Sequence, residues 1–254
     1  MPRFYVQNTS GFDKSIEITG EDVNHIKNVL RLETGDEITV GDGNGRDYIC
    51  RISDIGRESV LADIEDVISN TAELSTRIVL FQGVPKGDKL ELVIQKAVEL
   101  GVSEIVPVYT SRTVVKLDAK KETKKLERYN TIALSAAKQS GRGIVPKVKE
   151  YMTYEKALKY AEDLSMNIVP YEDARGIEFS RKIISSVKGK ESLGIFIGPE
   201  GGFAKEEVEK AKAMGANIIT LGNRILRTET AGLAALAIIG FAIEENQTSA
   251  DNEE

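Results

Sequence analysis

Apolar and polar positions along this chain fall into two regimes. Over residues 1–70 short apolar runs alternate at strand spacing. Phe4-Tyr5-Val6 opens a strand after Pro2, residues 37–40 and 48–52 alternate around a turn, and residues 59–68 supply at least one more strand. The turn carries Gly41, Gly43 and Gly45; because strand follows strand, it predicts a hairpin and not a phosphate loop. One stretch has helix spacing: within residues 21–32, Val23, Ile26, Val29 and Leu30 form an apolar face that leaves His25, Lys27 and Arg31 off it. Short strands, turns and one helix predict a small barrel. Polar residues 69–76 then mark a boundary between domains at 1–72 and 73–254.

Beyond the boundary, strand-like and helix-like periods alternate. Strands are expected at residues 77–82, 103–109 and 166–169, and helices at 89–100, 116–140, 154–164 and 179–187. The helix at 89–100 turns Leu90, Val93, Ile94, Ala97 and Val98 inward, and Gly101 stops it. The last part repeats the unit twice. An apolar strand, 193–197, meets the loop Gly198-Pro199-Glu200-Gly201-Gly202 and a charged helix, 205–214. A second strand, 217–221, meets the loop 223–228 and a strongly apolar helix. Such alternation predicts an α/β fold with a mostly parallel sheet. Two glycine-bearing loops following two neighbouring strands predict a ligand site at the carboxyl ends of the strands. The polar, acidic tail, 244–254, is expected to fray.

Composition adds exclusions. No apolar run is long enough to span a bilayer, the longest being 231–243, and no leader pattern opens the chain, which fits a cytoplasmic protein with no membrane partner. One cysteine, Cys50, rules out an internal disulfide, and one histidine, His25, leaves little for a zinc site or a histidine-dependent triad, so metal-independent chemistry is expected. Net charge is −6, unevenly spread. Residues 1–72 hold seven Lys/Arg against fourteen Asp/Glu, residues 73–150 fifteen against nine, and residues 151–254 twelve against seventeen. The middle third is a basic island of the kind that can mark a polyanion footprint. For Lys120, Lys121, Lys124 and Lys125, which alternate with acids, a solvated helix face is the reading adopted.

The two loops lack the Gly-Lys-Ser/Thr end of a phosphate loop and the spacing of a dinucleotide fingerprint, and Glu200 would repel phosphate. A neutral or cationic ligand suits them better. Gly198, Gly201 and Gly202 let a ligand approach the backbone, whose N–H and C=O groups can read a flat heterocycle such as adenine. Arg227 stays protonated and can stabilise an anion. Glu229 opens the last helix, where capping and dipole compensation compete evenly with a chemical role. A structural pairing of Arg227 with Glu229 or Glu200 stands beside a catalytic one.

The motifs IGPEGGF (197–203) and LGNRILRTETA (221–231) resemble the signature loops of the SPOUT-class RNA methyltransferases. With MPRFYV (1–6), HIKNVLR (25–31), QKAVELGV (95–102) and AAKQSGR (136–142), nearly the whole chain resembles the ribosomal small-subunit methyltransferase E family. The resemblance implies a PUA-like N-terminal barrel that binds RNA, and a C-terminal domain with a deep trefoil knot holding S-adenosylmethionine. It also implies a homodimer, and methylation of uridine N3 in the decoding region of 16S rRNA, within the small ribosomal subunit. Carried over by motif, Ile197, Gly198, Gly202, Leu221, Gly222 and Leu226 would line the cofactor site. Arg227 and Glu229 would face the substrate, with Glu200 or Glu229 taking the proton. Arg3, Arg31, Lys96 and Arg142 would contact RNA. The alternatives are another RNA target or atom within the same class, and a non-enzymatic RNA-binding factor in ribosome assembly.

Overall fold

The structure is a computed structural model that describes residues 1–6, 14–172, 174 and 176–244. The tail expected to fray lies, from residue 245 on, outside the described residues. The chain divides into two compact units, Met1–Glu73 with Ala137–Val145, and Leu74–Ala136 with Pro146–Glu254. Segment 137–145 thus groups with the first unit, whereas the sequence assigns it to the second domain.

The first unit contains β1 (Arg3–Tyr5), β2 (Ser15–Thr19), α1 (Glu21–Asn24), β3 (Glu37–Gly41), β4 (Arg46–Ile55) and β5 (Ser59–Ser69). They form one sheet in the order β1-β3-β4-β5-β2, parallel at β1/β3 and antiparallel elsewhere. Alternation along the strands sends Ile16, Ile18, Ile38, Val40, Cys50, Ile52, Val60 and Ala62 inward, where they pack with Phe4, Val23 and Ile26. Among the described residues the edge strands β1 and β2 do not pair with each other, so the expected barrel takes the form of a curled half-barrel. Two register shifts between β4 and β5 bend it. The glycine-rich turn is a hairpin, as expected: the Asp42 carboxylate accepts from the amides of Asn44 and Arg46.

The helix expected at 21–32 needs correction. After the four residues of α1 the chain widens into a π-helix, His25–Leu30, and stops at Arg31 with φ 55°. One extra residue per turn shifts the later positions round the axis. Val23 and Ile26 are buried, but Val29 and Leu30 are 60% and 39% exposed.

The second unit runs β6 (Arg77–Gly83), α2 (Lys89–Glu99), β7 (Glu104–Tyr109), α3 (Ala119–Ser140, its last four residues grouped with the first unit), β8 (Lys147–Val148), β9 (Met152–Thr153), α4 (Tyr154–Ala161), β10 (Met166–Pro170), α5 (Ile177–Ser185), β11 (Ser192–Ile197), α6 (Lys205–Ala213), β12 (Asn217–Ile219) and α7 (Thr228–Glu244). All seven strands are parallel, in the order β12-β10-β11-β6-β7-β8, with β9 also on β7. Helices cover both faces, so the central strands are apolar runs and not alternations. The five residues expected inward on α2 are all buried. On the other face Phe81 and Phe196 stack at 4.2 Å beneath α4 and α6.

The two loop-bearing strands, β11 and β12, are not neighbours in the sheet. A parallel strand must be reached by a crossover, and α6 carries the chain past β10 to the outer edge. β10 therefore stands between them, and its own carboxyl end joins theirs.

Candidate active site

The carboxyl ends of β10, β11 and β12 open into one cleft, about 870 Å³ including its solvent mouth. Its lining includes Pro170, Tyr171 and Glu172 after β10, Ile197 to Phe203 after β11, and Thr220, Leu221, Gly222, Arg224, Ile225, Leu226, Thr228 and Ala231 after β12. All six residues expected to line a cofactor site are there, together with Glu200. The segment 170–172 is not legible in the sequence, because nothing in it resembles a loop motif.

Backbone crowding explains the glycines. A Cβ on Gly198 would stand 2.9 Å from the Gly202 carbonyl carbon, so the loop folds on itself only with glycine at 198. Gly202 has φ +66°, and the space a Cβ would fill there is open. The loop is latched from outside. Arg112 Nη1 donates to the Gly201 carbonyl at 2.7 Å, and the buried Glu207 carboxylate accepts from the amides of Ser111 and Ala204, at 2.8 Å each. At the strand ends, Gln82 Nε2 donates to Thr228 Oγ1 at 2.8 Å, and that hydroxyl donates to the Gly198 carbonyl at 2.6 Å. This buried chain ties β6, the first loop and the start of α7 together. Gln82 Oε1 and Glu229 Oε2 are buried without a hydrogen-bond partner among the described residues.

The charged groups beside the cleft meet at a residue the sequence did not single out. Lys89, at the start of α2, places its Nζ 3.0 Å from Glu200 Oε1 and 3.7 Å from Glu229 Oε2. Glu200 also accepts from the Lys86 amide at 3.0 Å. Burial pushes the Glu200 carboxyl up, but hydrogen bonds from backbone amides and from Lys89 outweigh it and hold the group below the usual glutamate range. Arg227 is exposed and pairs with neither carboxylate among the described residues, because Lys89 takes that place. The structural pairing weighed for Arg227 is therefore absent there. Glu229 lies in the first turn of α7, its side chain 16% exposed.

Of the residues expected to contact RNA, one belongs to the second unit and three to the first. Lys96 lies on α2 and pairs with Glu99 at 2.9 Å. Arg31 is exposed in the first unit. The other two are occupied within that unit. Arg3 forms a two-pronged pair with Asp47 at 2.6 Å for each prong. Arg142 is 2% exposed, pairs with Glu73 at 2.7 Å, and its carbonyl accepts from Arg3 and from the Tyr5 hydroxyl. A phosphate would have to displace Asp47 or Glu73 to reach either guanidinium, so both act as internal struts.

Comparison with known proteins agrees with this architecture. Residues 72–240 match the RNA methyltransferase domain, and residues 18–65 match the PUA domain of RNA methyltransferases. A Bacillus subtilis protein named ribosomal RNA small subunit methyltransferase E is 39% identical over 233 residues, 91% of each chain. The crystal structure of the Neisseria gonorrhoeae protein of that name, bound to S-adenosyl methionine, aligns with a TM-score of 0.81 at 33% identity, covering 95% of this chain and 97% of that one. A putative methyltransferase from Legionella pneumophila, in complex with the same cofactor, aligns at 0.81 with 30% identity, over 94% and 97%. The chain belongs to the RNA methyltransferase family, in the branch whose members carry the name ribosomal RNA small subunit methyltransferase E.

Proposed function

We propose that this protein transfers a methyl group from S-adenosylmethionine to N3 of a uridine in the decoding region of 16S rRNA. The observation that carries the reading is the cleft itself: three strand ends, an open glycine backbone and an apolar lining, with Glu172, Glu200 and Arg224 at its wall and Glu229 joined to Glu200 through Lys89. Apolar Ile197, Leu221, Leu226 and Ala231 suit an adenosine face, and the loop backbone offers donors and acceptors without a phosphate partner. Two solved relatives hold this cofactor.

The bound cofactor supplies a methyl group on a sulfonium, ready for in-line displacement. The protein supplies alignment and a proton acceptor. Uridine N3 carries a proton at neutral pH, so the new N–methyl bond requires that proton to leave. Glu200 is committed to Lys86 and Lys89, whereas Glu229 is held only loosely by Lys89. Glu229 is thus the acceptor we assign. Arg227, exposed and without an ion-pair partner among the described residues, stabilises the charge that deprotonation spreads over O2 and O4. A nitrogen with a free lone pair would need neither group.

A homodimer and the knot belong to the same reading. Ile225, Ile238 and Phe241 are 86%, 42% and 72% exposed along α7 and the loop before it, an apolar strip suited to a second copy. The chain runs from β11 out past β10 to β12, and α7 returns to pack on α2, β11 and β6, a path that suits a threaded loop. The test is transfer of labelled methyl from S-adenosylmethionine to purified 30S subunits and to naked 16S rRNA. Label in either substrate is expected. No label in both, with no cofactor binding by calorimetry, would favour a non-enzymatic assembly factor.

A further inference from the structure

We propose that the loop between β7 and α3, with the first turns of α3, forms a basic flank that holds the RNA phosphodiester backbone beside the target nucleoside. The inference rests on the RNA-methylating reading above and adds where the strand lies.

Three observations carry it. The first is position. β6 and β7 are parallel and end at the edge that bears the cleft, so the chain segments leaving them start there. α2 and α3 run in the same direction, since Lys125 faces Asp88 at 3.6 Å and Arg128 faces Glu91 at 2.7 Å. Everything before Lys121 therefore extends past the start of α2, toward the cleft edge. The second is attachment. Ser111 and Arg112 bond directly to Glu207 and Gly201, so the flank is fixed to the loop that lines the cleft.

The third is charge. Residues 110–125 hold six Lys/Arg and two acids, in a chain of net charge −6. The acids are turned to other work. Glu122 accepts from the Tyr109 hydroxyl at 2.8 Å, and Asp118 accepts from the Lys121 amide at 2.9 Å and pairs with its ammonium. Lys116, Lys120 and Lys124 are left exposed with no ion-pair partner among the described residues. The alternation of lysines and acids that reads as a self-neutralised helix face is thus not neutral on the structure. With Arg3 and Arg142 engaged within the first unit, this flank offers uncommitted positive charge at the cleft edge of the second. Its spacing-tolerant lysines suit phosphates and not base edges.

The experiment measures filter binding of 16S rRNA across a salt series. It compares the wild-type chain, the triple variant Lys116→Gln/Lys120→Gln/Lys124→Gln, and a control triple, Lys147→Gln/Lys182→Gln/Lys190→Gln. Both triples remove the same charge from exposed positions, the control outside the flank. The flank variant is expected to bind about tenfold more weakly at low salt. Its dependence of log affinity on log salt should be shallower by about 2, given roughly 0.7 per lost phosphate contact on single strands. Cofactor affinity stays at the wild-type value. An unchanged salt slope, or an equal loss in the control triple, would overturn the proposal. Label transfer by the wild-type chain is scored separately: its absence counts against the methylating reading, while the binding comparison still decides the flank.

Discussion

At the scale of single residues, the two carboxylates beside the cleft differ in freedom more than in position. Glu200 is held ionised by Lys86 and Lys89, and Glu229 touches Lys89 only at 3.7 Å. Glu200→Gln is expected to keep kcat within about tenfold, because the amide still accepts from Lys86. Glu229→Gln should lower kcat by about 10²–10⁴, the usual worth of a general base. Single-turnover methyl transfer measures both, and equal losses would refute the division of roles. Arg227→Ala is expected to lose about 10²–10³ in rate while cofactor affinity stays within twofold. Full activity with purified subunits would remove Arg227 from the chemistry. The sequence made Glu200, Arg227 and Glu229 visible because they sit in motifs. Lys89 was not visible: it lies 111 residues from Glu200 and only the sheet brings them together.

At the scale of elements, local signals were legible and long-range ones were not. The inward face of α2 and the hairpin at Gly41–Gly45 follow from spacing and turn chemistry, and the structure agrees. The π-helix at His25–Leu30 breaks the period that made Val29 and Leu30 look buried. The place of β10 between β11 and β12 depends on a crossover that no local pattern records. Nor does a basic residue show its partner in the sequence, as the Glu73–Arg142 strut illustrates. Burial pushes the Glu73 carboxyl up, but Arg142 and the amides of Gly143 and Ile144 outweigh it and hold it below the ordinary value of 4.5. A depressed folded pKa means the stabilisation is complete above the unfolded value and is lost as pH falls through the folded one. The first unit should therefore weaken below about pH 4.5. Glu73→Gln should cost about 3–5 kcal/mol at pH 7, the typical cost of breaking a buried pair, and should flatten that acid dependence. Denaturant melts at pH 7 and pH 4 check both; parallel pH profiles for the two proteins would contradict the strut.

At the scale of the whole molecule, the chain joins a PUA-type unit to a parallel-sheet methyltransferase unit, and each has its own core. The exposed strip of α7 predicts association of two copies. Phe241→Asp should shift sedimentation from dimer to monomer, and an unchanged dimer would place the interface elsewhere. The class of chemistry was legible because its loops are contiguous in sequence. The central point is which atom receives the methyl group. Its direct test is mass spectrometry of nucleosides from unmethylated 30S subunits treated with the protein and S-adenosylmethionine, with the modified base mapped. The predicted result is 3-methyluridine at one decoding-region position, formed at least about a hundredfold more slowly when Glu229→Gln replaces the wild type. A methyl group on another atom or base, or outside that region, would contradict it.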